Sequence, residues 1–259
     1  MECWGVPYPF RKSMKNHMNR NKLDPKAEIV EDKVYKSGFE WRPKILKTLD
    51  YRKLSQYPLS GCHLCLLCGV STAGKNTLLD KVLVQTKDVK LIPRATSRLP
   101  RPGEHEGVEY FFTVDQALLW SQYGGNYYAV TEEVLKRLSK VKKGVMIQGI
   151  VYAPAMKHLF EKLGVKITLI YVLPVKLSDG LTKAMKVVRP RLLLRHRKVA
   201  KLRLGSVSTE LSYVFSHFGY LKKLGVVFVE NPPSAEGFSP KAVKMLLSLF
   251  EKHNHETRR

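Results

Sequence analysis

The chain has 259 residues, 44% of them hydrophobic, with 45 Lys and Arg against 22 Asp and Glu and a formal charge of +23. Length and apolar content suit one sizeable globular domain with extensions. No apolar run approaches the roughly eighteen residues of a membrane span, and no internal repeat is present, which excludes a transmembrane helix and a solenoid.

The positive charge marks a surface that attracts polyanions, whether nucleotides, nucleic acid, acidic lipid or acidic protein. Residues 1–60 are polar and basic, with Trp4, Tyr8, Phe10, Phe39 and Trp41 scattered among them. They read as a partly disordered extension with a short helix near Lys44–Leu54, its aromatics free to pack on the main domain or on a partner. Cys3–Leu23 is basic and acid-free, faintly like an organelle presequence, but Glu2 and two prolines argue against targeting.

From Cys62 the pattern changes. Cys62, Cys65 and Cys68 form C-x-x-C-x-x-C. On a strand, Cys62 and Cys68 share one face and Cys65 takes the other, with the outer two about 20 Å apart at roughly 3.3 Å per residue. With no cluster of Cys or His nearby, they read as buried thiols suited to a reducing compartment such as the cytoplasm. Leu64–Cys68 is apolar and the right length for a buried strand. Residues 69–77 then read Gly69-Val70-Ser71-Thr72-Ala73-Gly74-Lys75-Asn76-Thr77, and Leu78–Val84 is apolar at helical spacing.

Strand, glycine loop and helix is the context of a phosphate-binding loop. Glycines let backbone N–H groups turn toward phosphate oxygens, and the N-terminus of a helix over 75–85 adds its positive dipole end. Gly69, Ser71, Ala73, Gly74, Lys75, Asn76 and Thr77 are therefore the candidate triphosphate contacts. A hydroxyl normally follows the lysine and holds Mg²⁺. Asn76 stands there instead and offers an amide oxygen, a weaker ligand, with Thr77 just behind it.

Residues 94–130 are rich in Arg, Gly, Pro and aromatics, which predicts short strands and turns forming a small lobe. Within it, Arg98 and Arg101 are held three apart by Pro100 and Pro102, a fork suited to a phosphate. Glu104 is placed to hold one of them, and Tyr110 offers a phenolic donor. An apolar helix is expected before Gly125-Asn126-Tyr127-Tyr128. A helix over 131–142 follows, with Thr131 as N-cap and Glu132 and Glu133 in its first turn.

A strand is predicted at Val145–Ile150, a helix at Ala153–Leu163 ending at Gly164, and a strong buried strand at Lys166–Leu173 closed by Pro174. Leu181–Arg203 holds nine Lys and Arg and no acid, including Arg189, Arg191, Arg195, Arg197 and Arg203. It reads as a solvated helical face, as a lid closing over triphosphate charge, or as a nucleic-acid surface. Val226–Glu230 is a further strand. Pro240 opens a last helix with Val243, Leu246, Leu247 and Phe250 on one stripe. Strands alternating with helices imply an α/β fold with a parallel sheet and right-handed crossovers.

Taken together, the phosphate loop, the segment Thr96-Ser97-Arg98-Leu99-Pro100-Arg101-Pro102-Gly103-Glu104-His105-Glu106-Gly107-Val108-Glu109-Tyr110 and then Gly125-Asn126-Tyr127-Tyr128 resemble the guanylate kinase family in order and distance. The resemblance covers residues 62–174 well and the last strand and helix loosely. It implies a P-loop NTPase core over 61–259, a nucleotide-monophosphate lobe over about 94–130 and a helical lid over about 176–212. It also implies transfer of the ATP γ-phosphoryl to GMP with Mg²⁺. By position, Lys75 would contact the ATP phosphates. Arg98, Arg101, Tyr110 and Tyr128 would hold the acceptor phosphate, and Glu104 would organise that site. Arg189, Arg191, Arg195 and Arg197 are the lid candidates.

Four departures stand beside these matches. Leu119 takes the place of a glutamate that reads guanine, and Val130 that of a hydroxyl residue. Gln148-Gly149-Ile150 aligns with an Asp-Ile-Asp, and Asn76 replaces the metal-binding hydroxyl. Three readings follow: an active nucleoside-monophosphate kinase, a weakened domain of this kind that binds a protein or nucleotide without turnover, and a nucleic-acid binder acting through the basic extension and the 181–203 segment.

Overall fold

The computed structural model describes residues 46–47, 56–113, 117–123, 126–195, 200–234 and 238–256. Elements follow in chain order. β1 is Leu46–Lys47, β2 His63–Cys68, α1 Lys75–Gln85, β3 Lys90–Leu91, β4 Arg94–Thr96, β5 Tyr110–Phe111, β6 Ala117–Tyr123 and β7 Asn126–Thr131. Then come α2 Glu132–Val141, β8 Lys143–Ile147, α3 Ala153–Lys162, β9 Lys166–Leu173, α4 Gly180–Arg195, α5 Ala200–Ser216, α6 Phe218–Lys223, β10 Val226–Glu230 and α7 Pro240–Glu256. No helix among the described residues is long and apolar enough to cross a membrane.

Two sheets result. The first runs β10-β9-β2-β8-β3, with every pair parallel. β2 lies at its centre and is buried along its whole length, as a parallel strand covered on both faces must be. Side-chain alternation splits it between two cores. Leu64, Leu66 and Cys68 pack with Leu135 and Leu138 of α2 and Met156 and Phe160 of α3. Cys65 and Leu67 pack with Leu78 and Val82 of α1, Val188 and Leu192 of α4, and Leu246 and Phe250 of α7. The cysteine reading is thereby met: Cys62, Cys65 and Cys68 are free and buried, with the outer two on the face opposite Cys65. Burial pushes the Cys65 thiol up to about 12.

The second sheet runs β1-β6-β7-β4-β5 and is antiparallel except at β4–β5. Here two sequence expectations are corrected. The apolar helix expected before Gly125 is strand β6, paired antiparallel with β7 in the register Tyr123↔Asn126. Aromatic residues such as Trp120 and Tyr123 favour a pleated strand, and only Gly124-Gly125 separates the two, a length that closes a hairpin. Leu46–Lys47, within the short helix expected near 44–54, pairs instead with β6; the rest of 1–55 lies outside the described residues. The strand expected over 145–150 is displaced to 143–147, and 148–150 leaves the sheet toward the site.

One side chain ties the sheet edge to the glycine loop. Asn231 is 1% exposed. Its N–H donates to Leu173 O at 2.8 Å, its Nδ2 donates to Ala73 O at 3.0 Å, and its Oδ1 accepts from Ser239 N at 2.8 Å. The last two bonds join the loop after β2 to the start of α7. Asn231→Ala strands a buried carbonyl and a backbone N–H. The expected cost is about 2 kcal/mol, a drop of roughly 4–8 °C in melting temperature by scanning calorimetry; an unchanged melting temperature would show the clasp to be idle.

Candidate functional site

β2 delivers the glycine loop at its C-terminal end. Gly69 has φ +142°, and a Cβ there would stand 2.7 Å from Val172 O. Gly74 has φ +90°, and a Cβ there would run into Asn231 Nδ2. Neither position accepts a side chain. Thr72 holds φ +69° without being glycine, and its Oγ1 is buried with no hydrogen-bond partner. Such a β-branched residue in the left-handed region stores backbone strain, a common mark of ligand-binding loops.

Lys75 opens α1. Its Nζ donates to Gly69 O at 2.6 Å and Val70 O at 2.8 Å. Burial lowers its pKa, against the pull of the Glu210 carboxylate. Glu210 on α5 is 6% exposed and accepts from the Tyr171 hydroxyl at 3.3 Å. Its own pKa is raised by burial, with Lys75 and Tyr171 opposing.

A cavity of about 520 Å³ opens between the loop, the second sheet and α4–α5. Gly69, Ser71, Gly74, Lys75, Asn76 and Thr77 line it on one side. Arg98, Arg101, Glu104, Tyr110 and Tyr128 line it on the other. Ala73 is fully buried away from it, its carbonyl bound to Asn231.

The wall opposite the glycine loop is built around one ion pair. Arg98 Nη1 and Nη2 donate to the two oxygens of Glu104 at 2.6 and 2.7 Å, and Arg101 N donates to Glu104 Oε2 at 2.8 Å. The guanidinium of Arg98 lies 4.6 Å from the Tyr110 ring centre and 5.5 Å from that of Phe112. Tyr110 and Tyr128 stand 6.0 Å apart, centre to centre. A bidentate pair with an aromatic platform fixes the Arg98 guanidinium in space, and the same carboxylate anchors the backbone at Arg101.

The basic stretch folds as two helices that meet this cavity. Arg191 and Arg195 of α4 and Arg203 of α5 line it, and Arg191 Nη1 donates to Thr72 O at 3.2 Å. Arg189 is exposed and faces elsewhere. Arg197 lies outside the described residues. Sequence reasoning passed over Arg94 and Glu210, both in the cavity. Period two from Thr96 places Arg94 on its strand face, and Glu210 sits seven residues, two helical turns, beyond Arg203.

Burial favours the protonated Glu104 carboxyl, but the bonds from Arg98 and Arg101 outweigh it and hold its pKa below the ordinary 4.5. A depressed carboxyl contributes stability that is present above the unfolded value and lost as pH falls through the folded one. The wild type should therefore exceed Glu104→Gln in urea stability above about pH 4.5, and the gap should close below it. A gap independent of pH would overturn this assignment.

No family model matches the chain. It is 32% identical over 172 residues to the guanylate kinase of Desulfitobacterium hafniense, covering 61% of this chain and 80% of that enzyme. It is 31% identical over 121 residues to that of Prochlorococcus marinus strain MIT 9312, covering 43% of this chain and 64% of the enzyme. It is 38% identical over 88 residues to that of Thermobifida fusca, covering 30% and 45%. The crystal structure of guanylate kinase from Anaplasma phagocytophilum superposes with a TM-score of 0.46 at 14% identity, over 76% of this chain and 87% of that one. On the identity shared across four fifths of the Desulfitobacterium enzyme, the chain belongs to the guanylate kinase family.

Proposed function

We propose that the chain transfers the γ-phosphoryl of ATP to GMP, giving ADP and GDP. One observation carries this reading: a glycine loop with its lysine and a pre-set arginine fork face each other across one cavity. Transfer between two phosphates asks mainly that they be held in line and their charge be neutralised. The two walls supply those two holds.

On the donor side, Lys75 bonds to carbonyls of its own loop, and a triphosphate would draw the ammonium onto its outer oxygens. Ammonium stripped of water acts at a lower effective dielectric, where its charge counts for more. On the acceptor side, Arg98, Arg101, Tyr110 and Tyr128 hold the monophosphate, with Glu104 keeping Arg98 in place. Arg191, Arg195 and Arg203 bring lid charge to the cavity, which favours the lid reading of 181–203 over a nucleic-acid surface.

The donor set also fits a magnesium ion brought in on the nucleotide. Asn76 and Thr77 both line the cavity with hard oxygen atoms, and Mg²⁺ takes few protein ligands beside phosphate and water. Bound there, the ion would neutralise the phosphate charge. We read the second sheet as the acceptor lobe. The free buried thiols suit a reducing compartment such as the cytoplasm.

The test is ADP release from ATP and Mg²⁺ with GMP, dGMP, AMP, UMP or CMP as acceptor. Wild type should turn over GMP, and Lys75→Ala should lose at least roughly 100-fold in kcat. Saturable nucleotide binding without ADP release would favour a binding module, and equal turnover by Lys75→Ala would remove the phosphate loop from the chemistry.

A further inference from the structure

Arg94 is a buried cation that the phosphate-holding groups leave unused. It is 8% exposed, at the start of β4. Its Nη1 donates to Gln148 Oε1, and its guanidinium lies 4.9 Å from the centre of the Tyr128 ring. Its Nε is buried with no hydrogen-bond partner. Among the described residues no carboxylate pairs with it. A buried guanidinium without a counter-charge is expensive, and one donor left unpaired adds to the cost. Folding alone does not explain such a group.

Its surroundings say what would complete it. Gln148, 4% exposed, is itself anchored: its Oε1 also accepts from Gly149 N at 3.0 Å, and its Nε2 donates to Met156 Sδ. Gln148 thus orients Arg94 without neutralising it. Tyr128 meets Arg94 on one contact and Tyr110, the ring under Arg98, on another, so Arg94 lines the same cavity as the phosphate fork without belonging to its Arg98–Glu104 pair. The β4–β7 register Ala95↔Ala129 brings it beside Val130, which is 2% exposed and apolar.

Arginine only donates. It meets a partner that presents acceptors alone, and two coplanar acceptors on one edge satisfy it best. Among nucleobases, the O6 and N7 of guanine form that edge, whereas adenine places an amine donor beside N7. We propose that Arg94, oriented by Gln148 and Tyr128, is the specificity-determining residue of the acceptor site, choosing a 6-oxopurine monophosphate over a 6-aminopurine one. This rests on the kinase reading for the placement of the acceptor, but it is read out by binding alone.

Calorimetric titration of the full chain with GMP, AMP and ribose 5-phosphate tests it, in wild type and Arg94→Met. Wild type should prefer GMP over AMP by at least about 10-fold, the discrimination of a good bidentate contact. Arg94→Met should bring the two within a few-fold of each other and leave ribose 5-phosphate binding intact. Equal binding by wild type overturns the proposal whatever the variant does. So does a preference that survives Arg94→Met, or a loss of ribose 5-phosphate binding along with GMP. Absence of ADP release would count against the kinase reading, while the ratio of GMP to AMP affinity would still decide the role of Arg94.

Discussion

Everything at the site depends on the parallel pairing of β2 with β8 on one side and β9 on the other. Parallel strands end together, so this register places the glycine loop, Gln148 and the Leu173–Pro174 corner at one edge of the sheet. Burial of β2 on both faces makes the register costly to shift, since a one-residue slip would exchange its two cores. Asn231 then adds polar bonds across the same edge. The loop is held from below by the sheet and from the side by β10 and α7, and its strained Thr72 is sustained by that support.

Charge is the second constraint. A chain with a formal charge of +23 gathers cations around its cavity and supplies few acids there. Of the three acids that line it, Glu109 accepts from His105 N, and the other two are set against cations. Glu104 binds Arg98 and the Arg101 backbone, and Glu210 sits near Lys75 under the Tyr171 hydroxyl. Each keeps a cation from being stranded in a poorly solvated place. Arg94 has no such companion among the described residues, although it is only 8% exposed.

The core of this arrangement was legible in the sequence because its signals are local. A buried strand, a glycine loop and an apolar helix adjoin in residues 64–85, and the proline-stiffened Arg98-x-x-Arg101 fork lies within one turn of Glu104. β6 was misread because its apolar run suits helix or strand alike, and only pairing with β7 decides between them. Glu210 and Arg94 were missed for a different reason. A single acid on a long helix and a single arginine on a three-residue strand carry no pattern, and their burial comes from elements far away in the chain. The same distance hid Asn231, which meets Ala73 across 158 residues.

The cysteines of the central strand have a consequence for measurement. Thiolate is the reactive form, and burial lifts the Cys65 thiol to about 12 and Cys68 further still. Burial and this shift together should keep these sulfurs silent toward alkylating reagents in the closed sheet. They become reactive when β2 parts from its neighbours, so the pace of their labelling clocks the opening of the strand that carries the phosphate loop. The protein thus holds a native reporter, at its mechanical centre, of how often the frame beneath its site comes apart.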